Sequence, residues 1–466
     1  MELIPRIKSL TENLPYPVGW AAAQVPYSVR PGTRSTYRQR TNEIREYDVA
    51  SSEVRRAFIL RRMQQIVSHA YINVAFYRAH YDAHGFRPEH VKSFSDISHI
   101  PVVDKNLLQA VPIEQRSHPG SGRYLVNTGG SSGQPLSFYI LPSSIGHEWA
   151  HMHHIWARLG YRQNDLKLTF AGRYSGAHPV HYDALRHHYA VNTYAAWEDV
   201  ASDLKNVLKR HPVKYLHGYP SAISDFAGYC ESSDVELATL LRKMLKGVFL
   251  GSEFPAPAYR ERIDRAFGCP TISWYGHTER AVLAWERQAE FEYDPFQTYG
   301  YAEASTRDDG TVTLVGTSYY NTASPLIRYD TGDNVEILDQ EAGILSRFRI
   351  AGGRQGDYVL DANGKRIPLT ALIFGRHHQV FEHARFVQVS QTSPGSLTVL
   401  VTAEPSAFAG RDLGDFFDFD GVKMTFEYQL ASKPWTTSIG KVPLRLPDTA
   451  QHGGHASTPQ GIQRST

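Results

Sequence analysis

The chain of 466 residues is 41% hydrophobic and 21% charged, a balance typical of a folded protein with room for two or three domains. Its 49 basic and 47 acidic side chains leave a formal charge of +2, which argues against a dedicated nucleic-acid surface. Cys230 and Cys269 form no CxxC pair, so neither a disulfide framework nor a zinc finger is implied. The opening MELIPRIKSLTENLPYPVGW has charges and prolines where a signal peptide needs an apolar run. No stretch reaches the roughly 18 apolar residues of a membrane span, so a cytoplasmic protein is expected, with no membrane partner.

In chain order, residues 1–50 are rich in Pro and Arg with weak periodicity and read as an irregular arm. From Ser51 the pattern turns helical, with Val54, Phe58, Ile59, Met63 and Ile66 at helical spacing. Residues 95–113 read as a connector and a short helix capped by Asp104. Two strand-like runs, 123–127 and 136–141, flank a glycine-hydroxyl loop, and a helix is predicted over 143–159. Strand-like runs at 166–170, 214–217, 247–250 and 271–274 then alternate with helix-like runs at 202–210, 222–230, 237–245 and 256–267. This alternation predicts an α/β architecture with a largely parallel sheet. Residues 312–351 are β-rich, and a glycine break at 352–353 precedes a small α+β unit with strands near 385–391, 396–403 and 423–430. The polar tail 448–466 is expected to be disordered.

The loop Thr128-Gly129-Gly130-Ser131-Ser132-Gly133-Gln134-Pro135 suits phosphate. Glycines allow close backbone approach, successive N–H groups form an anion nest, and the hydroxyls add donors. It is no Walker loop, because a strand follows rather than Gly-Lys-Ser/Thr and a helix. Taken alone, the same residues also fit a hairpin turn.

Further segments follow in order: Trp274-Tyr275-Gly276-His277-Thr278-Glu279, Arg328-Tyr329-Asp330-Thr331-Gly332-Asp333, Gly353-Arg354-Gln355-Gly356-Asp357, and Ser438-Ile439-Gly440-Lys441. Together with the loop they resemble the ordered motifs of the acyl-adenylate-forming (AMP-dependent synthetase/ligase) superfamily. Asn73–Tyr77 and Ile100-Pro101-Val102-Val103-Asp104-Lys105 are similar to the N-terminal region of its phenylacetate–CoA ligase-like branch. Tyr358–Pro368 resembles relatives from capsular-polysaccharide loci.

The resemblance implies a large N-terminal adenylation domain, 1–353, with mixed or parallel sheets and helices, and a small mobile α+β C-terminal domain, 354–447. It implies ATP and Mg²⁺ as cofactors, a small aryl or aryl-acetic carboxylic acid as substrate, and CoA as the acyl acceptor. On this reading Thr128, Gly129, Gly130, Ser131, Ser132 and Gly133 hold phosphates, Thr278 donates to a phosphate, and Glu279 binds Mg²⁺. Asp333 takes the ribose hydroxyls, Arg354 contacts ribose or phosphate, and Asp357 is the hinge. Lys441 reaches the α-phosphate during adenylation. Gly251, Ser252, Glu253, Tyr275 and Gly276 lie near the nucleotide, and His217, Gly218, Tyr219, Trp274 and Tyr174 line the acid pocket.

Two alternatives stay open. The same adenylate can be passed to an amine, a hydroxyl or a carrier thiol instead of CoA. Separately, His147-Glu148-Trp149-Ala150-His151 is a literal HExxH on a predicted helix, extended by His154, with His178 or His181 as a third zinc ligand, the pattern of a zinc hydrolase.

Overall fold

The computed structural model describes residues 14–30, 33–128, 136–172, 174, 176, 178–307, 310–351, 358–374, 376, 378–384, 386–408, 411–435, 443–446 and 463–465. Its first elements correct the expectation of an irregular arm over 1–50: helices α1 (Tyr16–Ala23) and α2 (Arg34–Val49) occupy most of 14–50. The α2 stripe buries Tyr37, Arg40 and Ile44. Only one of these is aliphatic, so apolar counting finds no period. Tyr37 instead lies within hydrogen-bond reach of His153 Nδ1 at 3.0 Å, and the Arg40 guanidinium sits 3.6 Å over the Tyr320 ring.

Helix α3 (Ser52–Asn73) starts where Ser51 accepts the Val54 N–H, and extended Val74 separates it from α4 (Ala75–Ala83). The short α5 (Lys105–Gln109) is capped by Asp104, which accepts the Leu107 N–H at 2.7 Å. Strands β1 (Tyr124–Asn127) and β2 (Ser137–Ile140) form an antiparallel hairpin, and α6 (Ser144–Ala157) follows.

The centre is an eight-stranded sheet in the order β10-β9-β8-β7-β6-β3-β5-β4. Its parallel members are β3 (Lys167–Ala171), β5 (His188–Asn192), β6 (Tyr215–Gly218), β7 (Gly247–Leu250) and β8 (Thr271–Gly276). Antiparallel β4 (Val180–Asp183) closes one edge, and β9 (Leu283–Trp285) and β10 (Asp294–Pro295) close the other. Strands β4 and β5 went unpredicted because His, Tyr and Asp interrupt their apolar residues. Helices α7 (Trp197–Leu208), α8 (Pro220–Ser232), α9 (Val235–Met244) and α10 (Pro257–Phe267) cover one face through a core that includes Leu168, Phe170, Leu216, Val248 and Leu250. Helix α6 covers the other through Met152, Ile155 and Trp156, packed with Tyr215, Phe249 and Ile272. The expected α/β architecture with a largely parallel sheet is observed.

A second, antiparallel sheet joins β11 (Tyr301–Thr306), β12 (Val312–Thr317), β13 (Tyr329–Glu341) and β14 (Ile344–Ile350). After it come the hairpin β15 (Tyr358–Leu360)–β16 (Arg366–Pro368) and a sheet of β17 (Phe386–Ser393), β18 (Ser396–Thr402) and β19 (Thr425–Ala431). Their core, built on Val359, Leu372, Val387, Val399 and Val401, takes in Tyr194 from the large unit. Within the tail 448–466, Gln463–Ser465 forms β20 against β19. An edge strand presents unpaired backbone groups that accept a strand whatever its side chains. The rest of that tail lies outside the described residues. No helix among the described residues is long and apolar enough to cross a membrane.

Candidate active site

The nucleotide-type motifs meet at the end of β8, where it runs into the 276–282 loop facing β13. Tyr275 is the penultimate residue of β8, and its hydroxyl donates to Asp333 Oδ2 at 2.7 Å. The neighbouring Asp330 is consumed elsewhere: Arg307 grips it at 2.9–3.0 Å and Thr313 donates at 2.7 Å. Asp333 is exposed. The turn around it is set by Asp330, which accepts the Gly332 N–H, and by Thr331 Oγ1, which accepts the Asp333 N–H.

Glu279 is buried and sits among three groups. His277 Nδ1 lies 3.1 Å from Glu279 Oε2, and Tyr329 donates to Oε1 at 3.3 Å. His277 Nε2 accepts the Val282 N–H at 3.2 Å, so the neutral ring carries its proton on Nδ1 and donates it to Glu279. Burial pushes the Glu279 pKa up, but the His277 contact and the Lys105 ammonium outweigh it and hold the carboxyl below the ordinary range. Burial in turn lowers the pKa of Lys105, opposed by the Glu279 charge. Thr278 is exposed beside this group.

Lys105, His277 and Tyr329 received no role from sequence reasoning, although all three lie in or beside the motifs quoted for the resemblance. Lys105 arrives through backbone pairing far from its own segment. Val103 donates to the Arg328 carbonyl at 3.1 Å and accepts from the Asp330 N–H at 2.9 Å. Arg328 locks the join: buried, with φ of 45°, it pairs with Glu303 at 2.7 Å and donates to the carbonyls of Ser98 and Ile100 at 2.6 and 2.7 Å.

Thr128 is buried at the neck of the β1–β2 hairpin, where its Oγ1 accepts the Leu136 N–H at 2.8 Å. Gly129, Gly130, Ser131, Ser132 and Gly133, as well as Arg354, Asp357 and Lys441, lie outside the described residues.

Of the expected acid-pocket residues, His217, Gly218, Tyr219 and Trp274 lie at or near the ends of β6 and β8, while Tyr174 lies past the end of β3. The His217 ring stacks on Trp274 at 5.8 Å, and Gly251 lets Trp274 approach so closely that a Cβ there would lie 2.3 Å from the indole. Gly218 has φ of 148°, and a Cβ on it would meet the Phe170 carbonyl at 2.0 Å. Tyr219 starts α8, where Glu253 Oε2 accepts from Ser221 Oγ at 2.6 Å while its other oxygen is buried without a partner. Burial raises the Glu253 pKa. Exposed Ser252 adopts a left-handed φ of 69°. The Tyr174 hydroxyl donates to the His178 carbonyl.

The helix predicted around HExxH is present, but its zinc reading is corrected. His151 donates from Nδ1 to the His147 carbonyl at 2.9 Å and accepts at Nε2 from Thr298 Oγ1 at 3.0 Å, so neither nitrogen is free for a metal. Glu148 accepts from Tyr299 at 2.6 Å, and His154 faces Asp48 at 3.9 Å. Among the described residues no three His, Cys, Asp or Glu side chains converge to hold a metal ion. These histidines pack as aromatic core groups, with His147 and His151 rings 4.5 and 5.2 Å from Tyr299.

No family model matches the chain. It is 25% identical over 342 residues to the phenylacetate–coenzyme A ligase of Escherichia coli (strain K12), covering 67% of this chain and 74% of that one. The enzyme of the same name from Pseudomonas putida is 24% identical, covering 67% and 73%. Protein CapK of Staphylococcus aureus is 25% identical over 224 residues; the match spans 46% of this chain and about half, 48%, of CapK. In fold, the chain is similar to a 2-hydroxyisobutyryl-CoA ligase in its postadenylation state, with a TM-score of 0.53 and 18% identity over 86% of this chain and 91% of that one. The same ligase in its thioesterification state gives 0.51 and 19%.

Proposed function

We propose that this chain, a relative by sequence and by fold of the acyl-adenylate-forming ligases, activates a small carboxylic acid with ATP and passes the acyl group to CoA. A carboxylate oxygen of the acid attacks the α-phosphorus, the bond to the β-phosphate bridging oxygen breaks, and pyrophosphate leaves. The observation that carries this reading is the Glu279–His277–Tyr329–Lys105 cluster beside the Tyr275–Asp333 pair, at the carboxyl end of a parallel strand, the usual place for ligands in such sheets.

Each group has a task. Asp333, exposed and oriented by Tyr275, has oxygens for the two ribose hydroxyls. Thr278 offers a donor to a phosphate, and Lys105 adds positive charge where phosphate charge collects. Glu279 fits Mg²⁺: it is held ionised, and the His277 and Tyr329 contacts do not use all the lone pairs of its two oxygens. When bound, Mg²⁺ neutralises phosphate charge in such a transfer. The loop 129–133, Arg354 and Lys441 supply the remaining phosphate contacts, and rotation about Asp357 exchanges the adenylation site for the acyl-transfer site. A stacked His217–Trp274 pair at the pocket favours a flat aryl or aryl-acetic acid.

The test is acid-dependent exchange of labelled pyrophosphate into ATP, with a panel of aryl, aryl-acetic and short aliphatic acids, for wild type and Lys441→Ala. Exchange that needs the acid and is lost in the variant supports adenylation, whereas no exchange with any acid sinks it. Turnover that requires CoA distinguishes a CoA ligase from a synthetase that uses an amine, hydroxyl or carrier thiol.

A further inference from the structure

His217 and Trp274, the residues read as lining the acid pocket, back onto an unusual layer of the central sheet. Lys167 on β3 lies in register with His188 of β5 and Tyr215 of β6, and Thr169 with Ala190 and His217. Alternation puts Lys167, Thr169 and His217 on one face, under α6. Trp156 of that helix ties them together: Lys167 Nζ is 5.3 Å from its ring centre and the His217 ring 5.1 Å.

This layer is buried and under-satisfied. Lys167 is 3% exposed and Thr169 8%. The Thr169 hydroxyl and His217 Nδ1 are buried without a hydrogen-bond partner among the described residues. Among the described residues the Lys167 ammonium reaches the Tyr161 hydroxyl at 3.4 Å, lies over the Trp156 and Tyr161 rings at 5.3 and 5.5 Å, and forms no ion pair with a carboxylate. The groups its charge acts on are imidazoles, His153, His187, His188 and His217, and the acid in range, Asp183, is already taken by Arg186 at 2.6 Å. Burial pushes Lys167 down to about 8 and His217 to about 3, which leaves the lysine charged and the histidine neutral near pH 7. A buried unpaired cation beside orphaned hydroxyl and imidazole groups is costly unless an acceptor completes the set.

We propose that Lys167, Thr169 and His217 form a polar floor of the acid pocket, and that the acid carries a second carboxylate at the end remote from the one that is adenylated. The inference rests on the adenylation reading for which carboxyl reacts, and it narrows the substrate class from aryl acids in general to those with a distal anionic group.

Pyrophosphate exchange is measured with phenylacetate, 4-methylphenylacetate and 4-carboxyphenylacetate, for wild type, Lys167→Met and Thr169→Val. In wild type the kcat/KM for the carboxylated acid should exceed that of its methyl counterpart by about tenfold or more, because a site built for a polar group penalises its absence. Lys167→Met should abolish or invert that ratio, and Thr169→Val should lower it severalfold. A wild-type preference for the methyl compound, or a ratio unmoved by either variant, overturns the proposal. If circular dichroism shows Lys167→Met unfolded, Thr169→Val decides alone. If no acid supports exchange, the adenylation reading falls, and quenching of Trp156 and Trp274 fluorescence by 4-carboxyphenylacetate without ATP judges the floor by itself. Saturable quenching lost in the variants upholds it, and no saturable quenching overturns it.

Discussion

On one face of the central sheet, Leu168, Phe170, Leu216, Val248 and Leu250 pack against α7–α10 in an unbroken apolar layer. On the other, the same strands present Lys167, Thr169 and His217 beneath α6, beside Phe249 and Ile272. A parallel sheet covered on both faces is ordinarily apolar on both. The difference separates two environments carried by alternate residues of one strand: the even positions of β3 join the apolar core, and the odd ones bury polar groups.

The sharpest test of that division is a pair of neighbours. Leu168→Ala removes a fully buried side chain from the apolar face and should cost about 2–5 kcal/mol in urea unfolding. A loss under about 1 kcal/mol would mean that this face is not the stabilising one. At the nucleotide end, Glu279→Gln should lower pyrophosphate exchange by about 100-fold or more, a loss of metal-type charge stabilisation. Its unfolding midpoint should move far less than that of Leu168→Ala.

The polar face predicts a rise of stability with pH, the sign of ordinary acid denaturation, but in an alkaline window. Burial lowers Lys167 from 10.5 unfolded to about 8 folded. Between those values the unfolded chain binds more protons, so stability rises with pH through this window, by a total on the order of 3 kcal/mol, while below about pH 8 the penalty is fully present. The wild-type minus Lys167→Met difference in unfolding free energy, followed from pH 7 to 10.5, should show this rise; a flat difference would show that the lysine is solvated. The smallest effect expected is for Tyr275→Phe. Loss of one hydrogen bond to exposed Asp333 should cost about 1 kcal/mol, read as a severalfold rise in the KM for ATP with kcat little changed.

The sequence made the Tyr275–Asp333 and Glu279 cluster legible because its chemistry is contiguous. Tyr275 to Glu279 and Tyr329 to Asp333 each fall in one short segment, and a glycine-hydroxyl loop is visible wherever it occurs. It also made the alternation of strands and helices legible from 166 to 276. Helix α2 was missed because its buried stripe uses Tyr and Arg, and α1 because it buries only Gly19 and Ala23. The HExxH segment misled because spacing along a helix places two imidazoles on one face but cannot show that Thr298 and the His147 carbonyl already occupy the nitrogens of His151.

By itself, then, the sequence determined the α/β class and the order of the motifs, since these depend on local periodicity and on short spacings. The tertiary structure alone decided three things. It brought Lys105 to Glu279, through pairing of Val103 with Arg328 and Asp330. It assigned the HExxH helix to packing. It set Lys167, Thr169 and His217 side by side, because strand register, fixed by burial across the whole sheet, determines which residues of distant segments share a face.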